Sequence, residues 1–269
     1  MDPADEPKDD RQVESLVSES YWEQLYRNRT DFKSSVTLHS VLNKRLVYFQ
    51  LDKLFRLFLP SGLGRRYLEL GCGGSFWLPY FHRVLGYAVE GIDYSESGCQ
   101  LAQAHLARFG SEGKIHLLDF RKMGSAFDGR FDVCGSFGVI EHFEQPGEQV
   151  QQFGRCLKTG GLLVTTVPWL MGFQGLLQRT FNRPVYDHHQ ILSLEDLVSL
   201  HTRAGLTIRH AGFLGLTTLG RNLGAGFVGR LYDGYNAVMN RLAVRIEKAC
   251  RRGLPVLRGS SCIVIAQRT

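Results

Sequence analysis

Between Tyr67 and Val167 short apolar runs alternate with amphipathic helical stretches, and few folds accommodate that order. The runs Tyr67–Leu70, Ala88–Ile92, Ile115–Leu118, Phe131–Phe137 and Gly161–Val167 have the length of buried strands. The stretches 76–85, 97–109 and 145–156 space their apolar residues as helices do. Strand, helix, strand at this cadence predicts a parallel sheet with helices on both faces. Farther on, 193–204 reads as a helix, and 206–214 and 261–267 read as strands. The expected class is therefore α/β, a doubly wound, mostly parallel sheet of seven strands. Before the sheet, Ser18 offers an N-cap to the aromatic run Tyr21, Trp22 and Tyr26. Leu38 to Phe58 reads as one continued helical pattern, stopped by Pro60, Gly62 and Gly64. The expected organisation is a disordered tail at 1–14, an N-terminal helical segment at 15–60 and a main domain at 61–269. Two insertions, 168–190 and 215–260, interrupt that domain and would form a substrate cover.

Composition excludes several classes. With 43% hydrophobic and 22% charged residues in 269, disorder, collagen and coiled coil fail as whole-chain readings. No run reaches the roughly 18 apolar residues of a membrane span, and the opening MDPADEPKDD is too acidic for a signal peptide, so a cytoplasmic protein is expected. The six cysteines form no C-x-x-C pair and are expected as reduced thiols. The formal charge of +6 is concentrated between Arg221 and Arg258, where eight basic residues face two acids. There Leu231, Tyr235, Val238, Leu242, Ile246 and Ala249 recur at spacings of three and four, with Arg241, Arg245, Lys248 and Arg252 on a neighbouring stripe. Such a basic amphipathic helix near 227–252 suits a lid, a contact between two copies or an anionic membrane surface. No RNA-binding aromatic signature accompanies it, so nucleic acid is not an expected partner. The chain is expected as a monomer or a homodimer.

Chemistry concentrates after the first strand. Leu68-Glu69-Leu70-Gly71-Cys72-Gly73-Gly74-Ser75 places a glycine-rich turn where only small residues let backbone approach a ligand closely. Asp93 follows Gly71 by 22 residues, at the end of the second strand, where a carboxylate can accept both hydroxyls of a ribose. Glu69 discriminates among nucleotide ligands. A pyrophosphate would be repelled by it, whereas a sulfonium or ammonium group would be favoured.

With Glu69, the glycines, Asp93, the Asp119-Phe120 pair and the run around Glu141 in this order, the chain resembles the class I S-adenosylmethionine-dependent methyltransferases over roughly residues 60–214 and the last strand. The resemblance implies S-adenosyl-L-methionine as cofactor, with Glu69, Gly71, Cys72 and Gly73 around its methionine part and Asp93 on its ribose. It places Tyr94, Asp119 and Phe120 about its adenine, and Phe137 in the segment after the fourth strand. Within that family the chain is similar to ubiquinone-biosynthesis O-methyltransferases, which share the Ile140-Glu141-His142 run, the turn Leu157-Lys158-Thr159-Gly160-Gly161, a loop like Asp187-His188-His189 and the Ala204-Gly205 helix end. It departs at Gly138, where metal-assisted members carry a second glutamate, so no metal is expected. No Asn-Pro-Pro-Tyr-like run of base-methylating enzymes is present.

The expected reaction is methyl transfer to an oxygen, nitrogen or carbon of a small apolar or aromatic molecule of biosynthetic or secondary metabolism. A base is required only for a protonated nucleophile, and His142, His188 and Glu141 are the candidates. Tyr186, His189 and Trp169 are the expected substrate contacts. Tyr21 and Trp22 either close over the cofactor or pack the N-terminal helix, and the others have plainer readings too: His142 as a helix cap, Asp119 as a turn cap, and the loop histidines as ordinary loop residues. A membrane enzyme acting on a lipid-like acceptor and a non-catalytic cofactor-binding protein are the rival functions.

Overall fold

A computed structural model describes residues 15–28, 36–216, 227–249 and 259–269. The expected tail at 1–14, part of the basic segment with Arg221, Arg251, Arg252 and Arg258, and Cys250 lie outside the described residues. Seven strands form one sheet: β1 (Arg66–Leu70), β2 (Ala88–Asp93), β3 (Gly113–Leu117), β4 (Phe131–Phe137), β5 (Leu157–Pro168), β6 (Leu206–Leu214) and β7 (Ser261–Arg268). Their order is β3-β2-β1-β4-β5-β7-β6. The pairs from β3 to β5 are parallel, while β7 runs antiparallel between β5 and β6.

The helices are α1 (Glu19–Arg27), α2 (Leu38–Leu42), α3 (Leu46–Phe58), α4 (Trp77–Arg83), α5 (Glu96–Arg108), α6 (Pro146–Cys156), α7 (Phe173–Phe181), α8 (Arg183–Asp187), α9 (Leu194–Arg203) and α10 (Phe227–Ala249). Ser18 caps α1 by accepting the Tyr21 N–H, as the sequence implies. The single helical pattern of 38–58 is instead two helices. A capping box at Thr37 and Ser40 starts α2, and Asn43, whose side chain donates to the His39 carbonyl at 2.8 Å, ends it before Arg45 opens α3.

Two apolar layers cover the sheet. One, built on Leu68, Leu70, Phe120, Phe131, Phe153 and Leu197, packs beneath α6 and α9. The other, built on Phe55, Tyr67, Trp77, Tyr80 and Phe81, packs beneath α3 and α4. The Tyr67 and Phe81 rings stack at 3.7 Å between centroids. Because the parallel strands all end at one edge, the turns after β1, β2, β3 and β4 meet there, the place where open α/β sheets bind ligands.

Candidate active site

The first turn is held tight against β2. The Gly71 and Cys72 amides both donate to the Ile92 carbonyl, at 2.9 and 3.0 Å. Gly71 has φ +74°, and a Cβ there would meet the Val139 side chain at 2.6 Å. A Cβ at Gly73 would meet the Tyr26 ring at 2.5 Å. Both positions therefore need glycine, one for its backbone and one for space. Cys72 is fully buried and its thiol is pushed well up by that burial, so it packs rather than reacts.

Two carboxylates face this turn. Glu69 is buried beneath it, and burial pushes its carboxyl up to about 8, against hydrogen bonds from Ser75 and Tyr67 that favour the charged form. Asp93 accepts the Gly73 amide at 2.7 Å on one oxygen and the Ser95 amide at 2.9 Å on the other. Burial still raises it to about 6. Each oxygen keeps a lone pair, so hydroxyl donors can be added without displacing the amides.

Beyond Asp93 lies a cavity of about 260 Å³, lined by Tyr94, Leu117, Leu118, Asp119, Arg121 and Lys122 and closed by Ser15, Val17 and Glu19. Here the structure separates the expected adenine contacts. Tyr94 lines the cavity, and its hydroxyl is raised by burial. The Asp119 carboxylate caps the following turn through the Arg121 amide at 3.0 Å and receives the Arg121 guanidinium at 2.7 to 3.0 Å. Phe120 departs from expectation. Its ring is 2% exposed and stands edge-on to Phe143 and Phe153 in the core, since the short 3-10 turn at 120–122 points it inward. Phe137, at the end of β4, packs against Trp77 and Phe55.

The segment after β4 carries the second cluster. Gly138 has φ +73°, a backbone conformation that glycine adopts freely and glutamate does not, which accounts for the residue found there. Glu141 and His142 follow in a 3-10 turn, both buried. The His142 Nδ1 lies 2.7 Å from the His188 carbonyl oxygen, and the His189 Nδ1 lies 2.6 Å from that of Val185. A carbonyl only accepts, so in each ring Nδ1 carries a proton. Burial and the neighbouring His189 hold His142 down at about 3, uncharged at neutral pH. Donor atoms of Glu141, His142 and His189 lie within 4.8 Å of one another.

The insertion 168–190 thus meets the strand-end turn through its two histidines. The His188 ring itself turns to Tyr21, edge-on at 4.7 Å, while its backbone orients His142. Tyr186 is half-buried on α8, and its carbonyl accepts the His189 amide. Trp169 sits in the core, edge-on to Phe213, with 6% of its surface exposed. The side chain of Phe173 lies outside the described residues.

Sequence reasoning undervalued α1. Its residues do more than pack their own helix: Trp22 stands edge-on to His142 at 5.0 Å, Tyr26 covers Gly73, and the Glu23 carboxylate accepts the Ser95 hydroxyl at 2.8 Å and the Ser97 amide at 3.2 Å. Leu16 reaches the same place, its amide donating to the His142 carbonyl at 2.8 Å. The aromatic run was visible in the sequence, but nothing local announced that its partners lie 50 to 170 residues away.

A methyltransferase-domain family profile matches residues 42–211. Among curated proteins, the ubiquinone biosynthesis O-methyltransferase of Thiobacillus denitrificans is 26% identical over 151 residues, covering 53% of this chain and 65% of that protein. The counterpart from Caulobacter sp. strain K31 is 33% identical over 101 residues, 38% of this chain and 40% of that one. The alignments thus span between two fifths and two thirds of these relatives. Among solved structures, a SAM-dependent methyltransferase from Aquifex aeolicus superposes with a TM-score of 0.57 at 14% identity, over 94% of this chain and all of that one.

Proposed function

Since the chain belongs to the methyltransferase-domain family and its cofactor is S-adenosylmethionine, we propose that it methylates an oxygen of a small apolar or aromatic acceptor in a biosynthetic reaction. When bound, the cofactor supplies an electrophilic methyl group. The residues fit it. Gly71 and Gly73 leave backbone and space free at the first turn, the buried Glu69 carboxyl can be ionised by an adjacent cation, Asp93 retains acceptor capacity for ribose hydroxyls, and the Tyr94 cavity can take a base. Positioning two reactants in this way supplies about 7 to 11 kcal/mol in favourable cases.

The observation that carries the reading is the pairing of this turn with a proton acceptor. His142 is uncharged, fixed through Nδ1 and set four residues beyond Gly138, on the same segment as the Val139 side chain that packs on Gly71. An acceptor hydroxyl beside its Nε2 has somewhere to lose its proton, which an oxygen nucleophile needs and a methyl donor cannot provide. The O-methyltransferase relatives support the same choice. Calorimetric titration with S-adenosylmethionine tests the first half: the wild type binds, and Asp93→Ala binds at least tenfold more weakly. Methyl transfer from labelled cofactor to a panel of phenols and enols tests the second. His142→Ala is expected to lower turnover by about 10²- to 10⁴-fold with cofactor affinity within a few fold. Loss of both together marks a structural residue and sinks the assignment.

A second reading concerns where the reaction takes place. The apolar stripe Leu231, Tyr235, Val238, Leu242 and Ile246 on α10 faces outward, each residue 41 to 62% exposed. The helix docks by its opposite face, through Asn236, Ala243, Val244 and Glu247. The Glu247 carboxylate meets the Lys53 ammonium at 2.7 Å, and the Asn240 side chain accepts the Leu46 amide at 3.0 Å. Arg241, Arg245 and Lys248 border the exposed stripe. That arrangement suits an anionic lipid surface, with the apolar stripe in the headgroup boundary and the bases among the phosphates. Co-sedimentation with phosphatidylglycerol vesicles at low salt, lost in Arg241→Glu/Arg245→Glu, is the expected result. Sedimentation that is absent, or self-association without vesicles, removes the lipid assignment.

A further inference from the structure

We infer that Tyr67 is a positioning residue for the cofactor turn: its buried hydroxyl holds the Glu69 carboxylate in place for the cationic end of the ligand, in a space that Gly135 leaves open. The inference deepens the functional reading above and rests on it, because Glu69 is the carboxylate offered there to the cofactor. Tyr67 and Glu69 stand two residues apart on β1, so their side chains leave the same face of the sheet. The Tyr67 ring stacks on Phe81, and its hydroxyl donates to Glu69 Oε2 at 3.3 Å.

The surroundings explain why the residue is tyrosine. Its ring is fully buried in a layer with Phe55, Trp77, Phe81, Val133 and Val164. Phenylalanine would fill that layer equally well, whereas a hydroxyl buried there costs free energy unless it is bonded. Glu69 is the partner that bonds it. Gly135 on β4 lies beside Glu69 in the β1–β4 register, and a Cβ there would collide with the Tyr67 hydroxyl. The backbone at this point is ordinary strand, so the glycine answers to space alone. A second hydroxyl completes the cradle. Ser75 Oγ accepts the Trp77 amide at 2.9 Å, which leaves its own proton for the Glu69 carboxylate.

Both hydroxyls favour the ionised carboxylate, against burial. The other titratable groups facing the pair among the described residues are three. The Asp93 carboxylate on β2 repels the charge of Glu69, while the Cys72 thiol of the turn and the Cys134 thiol on β4 are pushed up by burial and stay neutral. Tyr67 keeps its proton for the same reason. Loss of its hydroxyl therefore raises the pH at which Glu69 ionises and frees the carboxylate to turn away from the ligand.

Tyr67→Phe is the test, since it deletes one oxygen and keeps the ring against Phe81. Carbon NMR of the carboxyl groups in the ligand-free whole chain, with Glu69 assigned by the signal lost in Glu69→Gln, reads its titration midpoint. That midpoint is expected to rise by about half to one pH unit. Calorimetry with S-adenosylmethionine is expected to show roughly three- to tenfold weaker binding at pH 7, with the gap closing above about pH 9. Gly135→Ala, which displaces the hydroxyl, should move the midpoint the same way, and adding Tyr67→Phe to it should move it no further. A midpoint in Tyr67→Phe that stays with the wild type, or binding weakened equally at every pH, marks Tyr67 as packing and overturns the inference. A wild type that binds no S-adenosylmethionine sinks the functional reading instead, and the ligand-free midpoint still decides whether Tyr67 governs Glu69.

Discussion

At the scale of single residues the chemistry is set by what burial does to charge. Glu69 ionises near 8 in the folded chain, far above the ordinary carboxylate range, so at pH 7 it is largely protonated before a cationic ligand arrives. A sulfonium beside it favours the carboxylate, and binding must then release a proton. Cofactor affinity is accordingly expected to rise from pH 6 to 8. Calorimetry at pH 7 in two buffers of different ionisation enthalpy should count that proton, and Glu69→Gln should abolish both effects while weakening binding. Gly138 offers a second measurement. Placing glutamate there, to restore the missing acid of the metal-assisted pattern, forces a side chain into left-handed backbone and costs about 1 to 2 kcal/mol, read as a lower melting temperature.

At the scale of elements, α1 and the insertion 168–190 are the parts least legible in the sequence. Strands β1, β2 and β4 come within one residue of their apolar runs, and Ser18, Ser95 and Ser193 cap helices through their own side chains. Such rules are local. Whether Tyr26 covers Gly73 or Trp169 enters the core depends on tertiary placement, which periodicity does not encode. The same limit misplaced Phe120, whose pairing with Asp119 suggested a ligand contact while its neighbours Phe143 and Phe153 claimed the ring. The α10 stripe shows the converse. The apolar residues of its stripe were read as one face, yet the helix docks by the other, through Asn236, Asn240, Ala243, Val244 and Glu247. For α1 the expected outcome is functional: Tyr26→Ala should weaken cofactor binding several-fold with little change in melting temperature, and Trp22 emission should change when cofactor is added.

At the scale of the whole molecule, stability has an acid limit built into the sheet. His201 on α9 is fully buried, its Nδ1 proton given to the Leu197 carbonyl and its Nε2 bonded to the Thr165 hydroxyl on β5. Burial lowers it to about 4, from an ordinary value of 6.5. Below 6.5 the unfolded chain takes up a proton that the folded one refuses until pH 4. Stability is therefore full above pH 6.5 and declines as pH falls through that window. Melting temperatures at pH 7.5 and 5 should differ less in His201→Gln than in the wild type.

The position of β7 between β5 and β6 has a consequence for how the protein is made. Seven pairings from Leu162 to Pro168 on one side and eight from Leu206 to Leu214 on the other all await residues 261–268. During synthesis, then, two long strands leave the ribosome with unsatisfied edges and stay so until these residues have cleared the exit tunnel. Such edges recruit other chains. A ribosome stalled before Ser261 would display a sheet that cannot close, and the demand for chaperones should fall sharply once the last strand is released.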